Sequence, residues 1–291
     1  MHMFAFALAV AMAALVASSP AHAGGTISVV AAENFYGEVA REIGGPAVEM
    51  TSVLSRPDGD PHLFETAPST ARAVAGASIV LMNGAGYDGW MEKLVSAAGG
   101  GRTSIVAAEL TGAPEGANPH LWYRPETLPA VARRLAAVLA ETDPGDAASF
   151  RERLVRFDAR FSSVTKRIAE LRERFAGTVV TATEPVFGYM CEALGLKVVN
   201  GAFQTAVMNE AEPSPRQVAA FEKSLSDGSV KLLFYNRQVA SPMAERMRAL
   251  AEANGIPVVG VTELMPPGKT IADWLNGELD AVEAALERAK P

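Results

Sequence analysis

From Asp146 to Phe175 the large apolar residues are Phe150, Leu154, Phe157, Phe161, Val164, Ile168, Leu171 and Phe175, separated by alternating steps of four and three. That spacing holds all of them on one stripe of a helix, with Arg151, Arg156, Arg160, Arg167 and Arg174 on the other side. Pro144 and Asp146 open the segment and Gly177 closes it, as helix ends favour. At ~1.5 Å per residue the helix would be about 45 Å long, more than the width of a small domain. A dimeric coiled coil uses the same step, but only about four heptads are available. The pattern predicts a spine with a lobe at each end.

On both sides of it, short Val/Ile-rich runs bounded by Gly, Pro, Ser or Asn alternate with helical patterns. The predicted strands are Ile27–Ala32, Val48–Leu54, Ser78–Met82 and Thr103–Ala107 before the spine, and Thr178–Thr183, Lys197–Val199, Val230–Tyr235 and Pro257–Thr262 after it. Helices are predicted at Phe35–Ile43, Pro68–Ala75, Trp90–Ala97 and Pro125–Glu141, then at Val186–Leu194, Pro215–Leu225, Met243–Ala253 and Ile271–Ala289. The expected class is α/β, with two lobes around mostly parallel sheets (24–143 and 177–291) joined by a linking helix (144–176). In such sheets ligands sit beyond the carboxyl ends of the strands.

Composition narrows the picture. The chain has 291 residues, 49% apolar and 20% charged, which is long enough for two domains. A net charge of −7 without a basic cluster argues against nucleic acid as a partner. Phe4 to Val16 is an almost unbroken apolar run, followed by Ala21-His22-Ala23. Residues 1–23 therefore read as a signal peptide, although Met1-His2-Met3 lacks the usual basic residue. Export places the mature chain in the periplasm, and no later segment is apolar for the ~18 residues a membrane span needs. The single cysteine, Cys191, lies in an apolar helical setting and reads as a buried, inert thiol.

Two phosphate-binding patterns do not survive inspection. Gly84-Ala85-Gly86-Tyr87-Asp88-Gly89 fits G-x-G-x-x-G but follows the third strand and runs into bulky Trp90, so a tight turn is expected there. Gly268-Lys269-Thr270 lacks the glycine a Walker A loop needs at the position of Glu263.

Histidine is more informative. With the leader removed only His62 and His120 remain, in the matching settings Asp60-Pro61-His62-Leu63-Phe64 and Asn118-Pro119-His120-Leu121-Trp122. Neutral imidazole is the commonest transition-metal ligand, and a preceding proline narrows the backbone freedom behind it. Two carboxylates stand at strand ends of the other half, Glu184 before Pro185-Val186-Phe187-Gly188-Tyr189 and Glu263 before Met265-Pro266-Pro267-Gly268.

On these segments the chain resembles the periplasmic binding proteins of zinc and manganese ABC importers, the cluster A-I or cluster 9 solute-binding proteins. The resemblance spans the mature sequence: the leader, Pro61–Glu65, Asn118–Trp122, the long linking helix, and the Phe-Gly-Tyr after Glu184. It implies two α/β lobes on one long helix and a single Zn²⁺ or Mn²⁺ between them. The implied ligands are His62 and His120 from the first lobe and Glu184 and Glu263 from the second. It also implies a monomer that delivers its ion to an inner-membrane ABC permease and has no enzymatic activity. Zinc-specific members often have histidine where Glu184 stands, aspartate is common in place of Glu263, and the His-rich loop frequent before the second histidine is absent from Gly112–Ala117. Two carboxylates make the set harder and suit Mn²⁺, whereas Zn²⁺ binds most such sites more tightly. The competing classes are a periplasmic zinc hydrolase on the same residues, which lacks H-E-x-x-H and a position for water, and a metal-binding adhesin-like surface protein.

Overall fold

The computed structural model describes residues 25–56, 64–114, 116–238 and 241–289. His62 and the leader segment lie outside them. Strands β1 (Ile27–Glu33), β2 (Val48–Leu54), β3 (Ile79–Met82) and β4 (Thr103–Val106) form one sheet in the order β2-β1-β3-β4. A second sheet, β6-β5-β7-β8, is built from β5 (Val179–Ala182), β6 (Lys197–Val198), β7 (Leu233–Asn236) and β8 (Val258–Val261). Every pairing is parallel. Parallel strands need crossovers, and helices supply them. In the first lobe these are α1 (Asn34–Gly44), α2 (Pro68–Gly76), α3 (Gly89–Ala97), α4 (Ala107–Thr111) and α5 (Thr127–Thr142). The linking helix is α6 (Ala147–Phe175), followed by α7 (Gly188–Ala193), α8 (Gly201–Met208), α9 (Pro215–Ser226), α10 (Pro242–Ala253) and α11 (Ile271–Arg288).

Helix α6 is a single 29-residue element, as its 4-3 step predicts. Its Phe150, Phe157, Phe161, Val164, Ile168 and Leu171 enter one core that continues from β1 and β3 through α1, α5 and α11 to β5 and β8. The apolar stripe is thus covered by the same chain, with Leu154 and Phe175 only partly buried. The polar side does more than face water. Arg160 pairs with Glu42 of α1, while Arg167 and Arg174 pair with Asp280, Glu283 and Glu287 on α11. Exposed pairs of this kind contribute little singly, ~0–1 kcal/mol.

Some boundaries differ from the sequence reading. Helix α5 begins at Thr127, because Pro125 and Glu126 form a turn in which Thr127 N–H donates to the Arg124 carbonyl (2.9 Å). The stretch expected as one helix from Val186 to Leu194 is a 3-10 turn at Pro185–Phe187 followed by α7. Helices α4 and α8 were not anticipated, since both are short and lack a side-chain cap. Cys191 is buried on α7, and burial pushes its thiol far above the ordinary range.

Candidate metal site

Both sheet orders reverse direction between their two central strands, β1/β3 and β5/β7, and such a switch point opens a crevice at the carboxyl edge. The two carboxyl edges face one another, and three of the four expected ligands lie between them. His120 precedes the 3-10 turn Leu121–Tyr123 and is fully buried. Its Nδ1 lies 2.6 Å from Asn118 Oδ1, so a proton on Nδ1 is held there and the lone pair of the ring falls on Nε2. Asn118 is itself fixed by the second lobe. Its amide donates to the Pro185 carbonyl (2.7 Å), and the Tyr189 hydroxyl donates to its backbone carbonyl (2.9 Å). A Cβ on Gly188 would fall 2.9 Å from that amide, so the glycine of the Phe-Gly-Tyr segment permits the approach.

Glu263 follows β8 and is fully buried, with Oε2 3.9 Å from His120 Nε2. Oε2 accepts from the Tyr87 hydroxyl (2.7 Å) and Oε1 from the Asn236 amide (2.7 Å). Behind it, Gln238 Oε1 accepts from the backbone N–H groups of Glu263 and Leu264, which fixes where the strand end turns. Glu184 follows β5 and is also buried; its Oε2 accepts from the same Asn236 amide at 3.3 Å. Asn236, the last residue of β7, thereby spans the two carboxylates. Two buried carboxylates beside an imidazole form a set of oxygen and nitrogen donors of the kind a divalent transition-metal ion takes. Among the described residues no three His, Cys, Asp or Glu side chains are gathered tightly enough to enclose an ion by themselves.

The glycine-rich stretch makes the tight turn anticipated for it. Gly84, Ala85 and Gly86 have φ of 73°, 52° and 81°, and Tyr87 N–H donates to the Gly84 carbonyl (3.1 Å). Asp88 holds the turn by accepting from the N–H groups of Asn83 and Gly84, while burial raises its carboxyl to about 6. The result aims Tyr87 at Glu263. A cavity of about 810 Å³, lined in part by Tyr87, Glu92, Glu109, Pro119 and Met208, opens beside this turn.

Further contacts tie the lobes together next to the site. Asn34 and Met265 exchange two hydrogen bonds (2.7 and 3.0 Å), and the Tyr123 hydroxyl reaches the Thr262 carbonyl (2.6 Å) and Glu278 (2.8 Å). Burial pushes the Glu278 carboxyl up to about 8. Asn236, Gln238 and Glu278 were not singled out from the sequence, and Tyr87 was noted only as part of a turn.

Comparison with known proteins agrees with this architecture. The family described as zinc-uptake complex component A, periplasmic, matches residues 29–285. The manganese ABC transporter substrate-binding lipoprotein ScaA of Streptococcus gordonii is 25% identical over 93% of this chain and 92% of its own length. The iron-binding protein YfeA of Yersinia pestis is 22% identical over 84% of this chain and 80% of its own. Among solved structures, the periplasmic zinc-binding protein TroA of Treponema pallidum superposes with a TM-score of 0.77 at 18% identity, covering 90% of this chain and 99% of TroA. A manganese-bound periplasmic metal-binding protein of Candidatus Liberibacter asiaticus gives 0.72 at 17% identity, covering 90% and 100%.

Proposed function

The chain belongs to the periplasmic zinc-uptake component A family of metal-binding proteins, and from that premise we propose that it carries one Mn²⁺ or Zn²⁺ on His62, His120, Glu184 and Glu263. Family membership makes it an extracytoplasmic substrate-binding protein of a metal ABC importer, not an enzyme; the hydrolase alternative finds no support. The finer reading is a monomer exported by residues 1–23, with lobes 24–143 and 177–291, that gives its ion to an inner-membrane permease.

One observation carries the ligand assignment. His120 is locked by Asn118 with Nε2 3.9 Å from a Glu263 oxygen across the boundary between the lobes. A metal at ~2.0–2.2 Å from each donor fits between atoms that far apart. The two described carboxylates favour Mn²⁺ by hardness, while the order of affinities favours Zn²⁺, so supply in the compartment decides the cargo. Because the imidazole and the carboxylates belong to different lobes, any separation of the lobes divides the ligand set and releases the ion.

The test is a competition titration of Mn²⁺ and Zn²⁺ against His120→Ala, with elemental analysis of natively purified protein. Affinity should fall by orders of magnitude while the far-UV spectrum is unchanged, because the core forms without the metal. A variant that titrates as wild type removes His120 from the ligand set.

A further inference from the structure

The two lobes repeat more than their strand order. β1 runs into Glu33-Asn34-Phe35-Tyr36-Gly37, and β5 leads to Glu184-Pro185-Val186-Phe187-Gly188, so each central strand ends at Glu-x-x-aromatic-Gly. β3 runs into Asn83, and its counterpart β7 ends on Asn236. Each switch point thus carries one glutamate and one asparagine on neighbouring strands, at the edge where such sheets take ligands.

The pairs are wired differently. Asn236 donates its amide to Glu184 (3.3 Å). Asn83 turns away from Glu33: its amide donates to the carbonyls of Gly84 (2.9 Å) and Pro119 (2.8 Å), and its oxygen accepts from the Tyr36 hydroxyl (2.8 Å). Glu33 is fully buried, and neither carboxyl oxygen has a hydrogen-bond partner among the described residues. A buried polar group left in that state destabilises a fold, and native chains retain few of them. An apolar side chain of similar size would serve the core better, so packing does not account for Glu33.

Its surroundings point to the ion. Glu33 acts electrostatically on Tyr87, whose hydroxyl bonds Glu263 and whose ring centroid lies 6.0 Å from that of His120. Burial, and after it the acidic Asp88, holds the Glu33 carboxyl well above the ordinary range.

We propose that Glu33 is the first lobe's counterpart of Glu184, a buried acidic residue that strengthens the hold on a divalent cation and is kept at the expense of the empty protein's stability. The inference rests on the ligand reading above. Two ligating carboxylates already balance a dication, so Glu33 adds a further attraction once the arriving cation displaces its proton. Its burial keeps that attraction from being screened by salt.

Glu33→Gln, Glu33→Leu and His120→Ala are compared with wild type by competition titration of Zn²⁺ and Mn²⁺ and by thermal melts in chelator. Both Glu33 variants should bind both metals more weakly, by about 10- to 100-fold, the usual effect of losing an outer partner of a metal site. In chelator, Glu33→Gln should melt no lower than wild type and Glu33→Leu higher, a crossing that a merely structural residue does not produce. Unchanged affinities in both Glu33 variants, with His120→Ala impaired, would overturn the inference and leave the ligand reading intact. Metal-free variants that both melt well below wild type would make Glu33 structural and also overturn it. Wild-type binding by His120→Ala would remove the ligand reading beneath it.

Discussion

Glu278 offers a quantitative test of how the lobes are joined. Its Oε1 accepts from the Tyr123 hydroxyl (2.8 Å) and from the Trp274 indole (3.1 Å), and burial raises its carboxyl from an ordinary 4.5 to about 8. In that interval the folded protein holds a proton that the unfolded chain has released. Stability from this group is therefore complete below about pH 4.5 and is lost as pH rises toward 8. Integrated from about pH 5 to about pH 8, the loss is on the order of 3 to 4 kcal/mol. Glu278→Gln keeps an oxygen to accept both hydrogen bonds but has no proton to lose. The variant should equal wild type near pH 5 and exceed it increasingly toward pH 8. Urea denaturation of metal-free protein at four pH values, followed by far-UV circular dichroism, measures this. Asp88 and Glu33 also titrate with shifted values, but they are common to both proteins and cancel in the difference. Parallel stability curves would refute the reasoning and mean that the carboxyl is solvated in solution.

Two further outcomes follow from the contacts around the site. Asn236→Leu removes the amide that spans Glu184 and Glu263, and Mn²⁺ and Zn²⁺ affinity should fall about 10- to 100-fold in a competition titration; unaltered affinity would mean that the amide does not orient the carboxylates. Asn34→Ala strands the buried N–H and carbonyl of Met265 and should lower unfolding free energy by about 2–4 kcal/mol in a urea titration, a change under 0.5 kcal/mol contradicting a stabilising link.

Local pattern determined the elements of this protein. The 4-3 step from Phe150 to Phe175 specifies helix α6 because a helix brings residues three and four apart onto one face. The β-branched runs specify most strands to within one residue, although β7 begins at Leu233 rather than at Val230, and their alternation with helices requires parallel sheets. The Pro-His pair and the two strand-end glutamates stand out as candidates in the sequence because few residue types bind metal and because ligands collect at one edge of such sheets; the fold brings His120, Glu184 and Glu263 together. Tertiary structure decided what surrounds them. Asn118 meets Pro185, Tyr87 meets Glu263, and Asn236 reaches both Glu184 and Glu263, contacts that join segments up to 176 positions apart. An asparagine or tyrosine at the end of a strand looks the same in sequence whether it faces water or a buried carboxylate. The arginines of α6 illustrate this: their spacing fits a solvated face, yet Arg160, Arg167 and Arg174 reach acidic residues on α1 and α11. Glu33 illustrates it most sharply, since its sequence setting does not reveal that the fold closes over its carboxyl and leaves it without a hydrogen bond among the described residues. Periodicity encodes which side of an element is buried. Only the packing of one lobe against the other encodes which polar groups are buried together, because that depends on distances the chain acquires on folding.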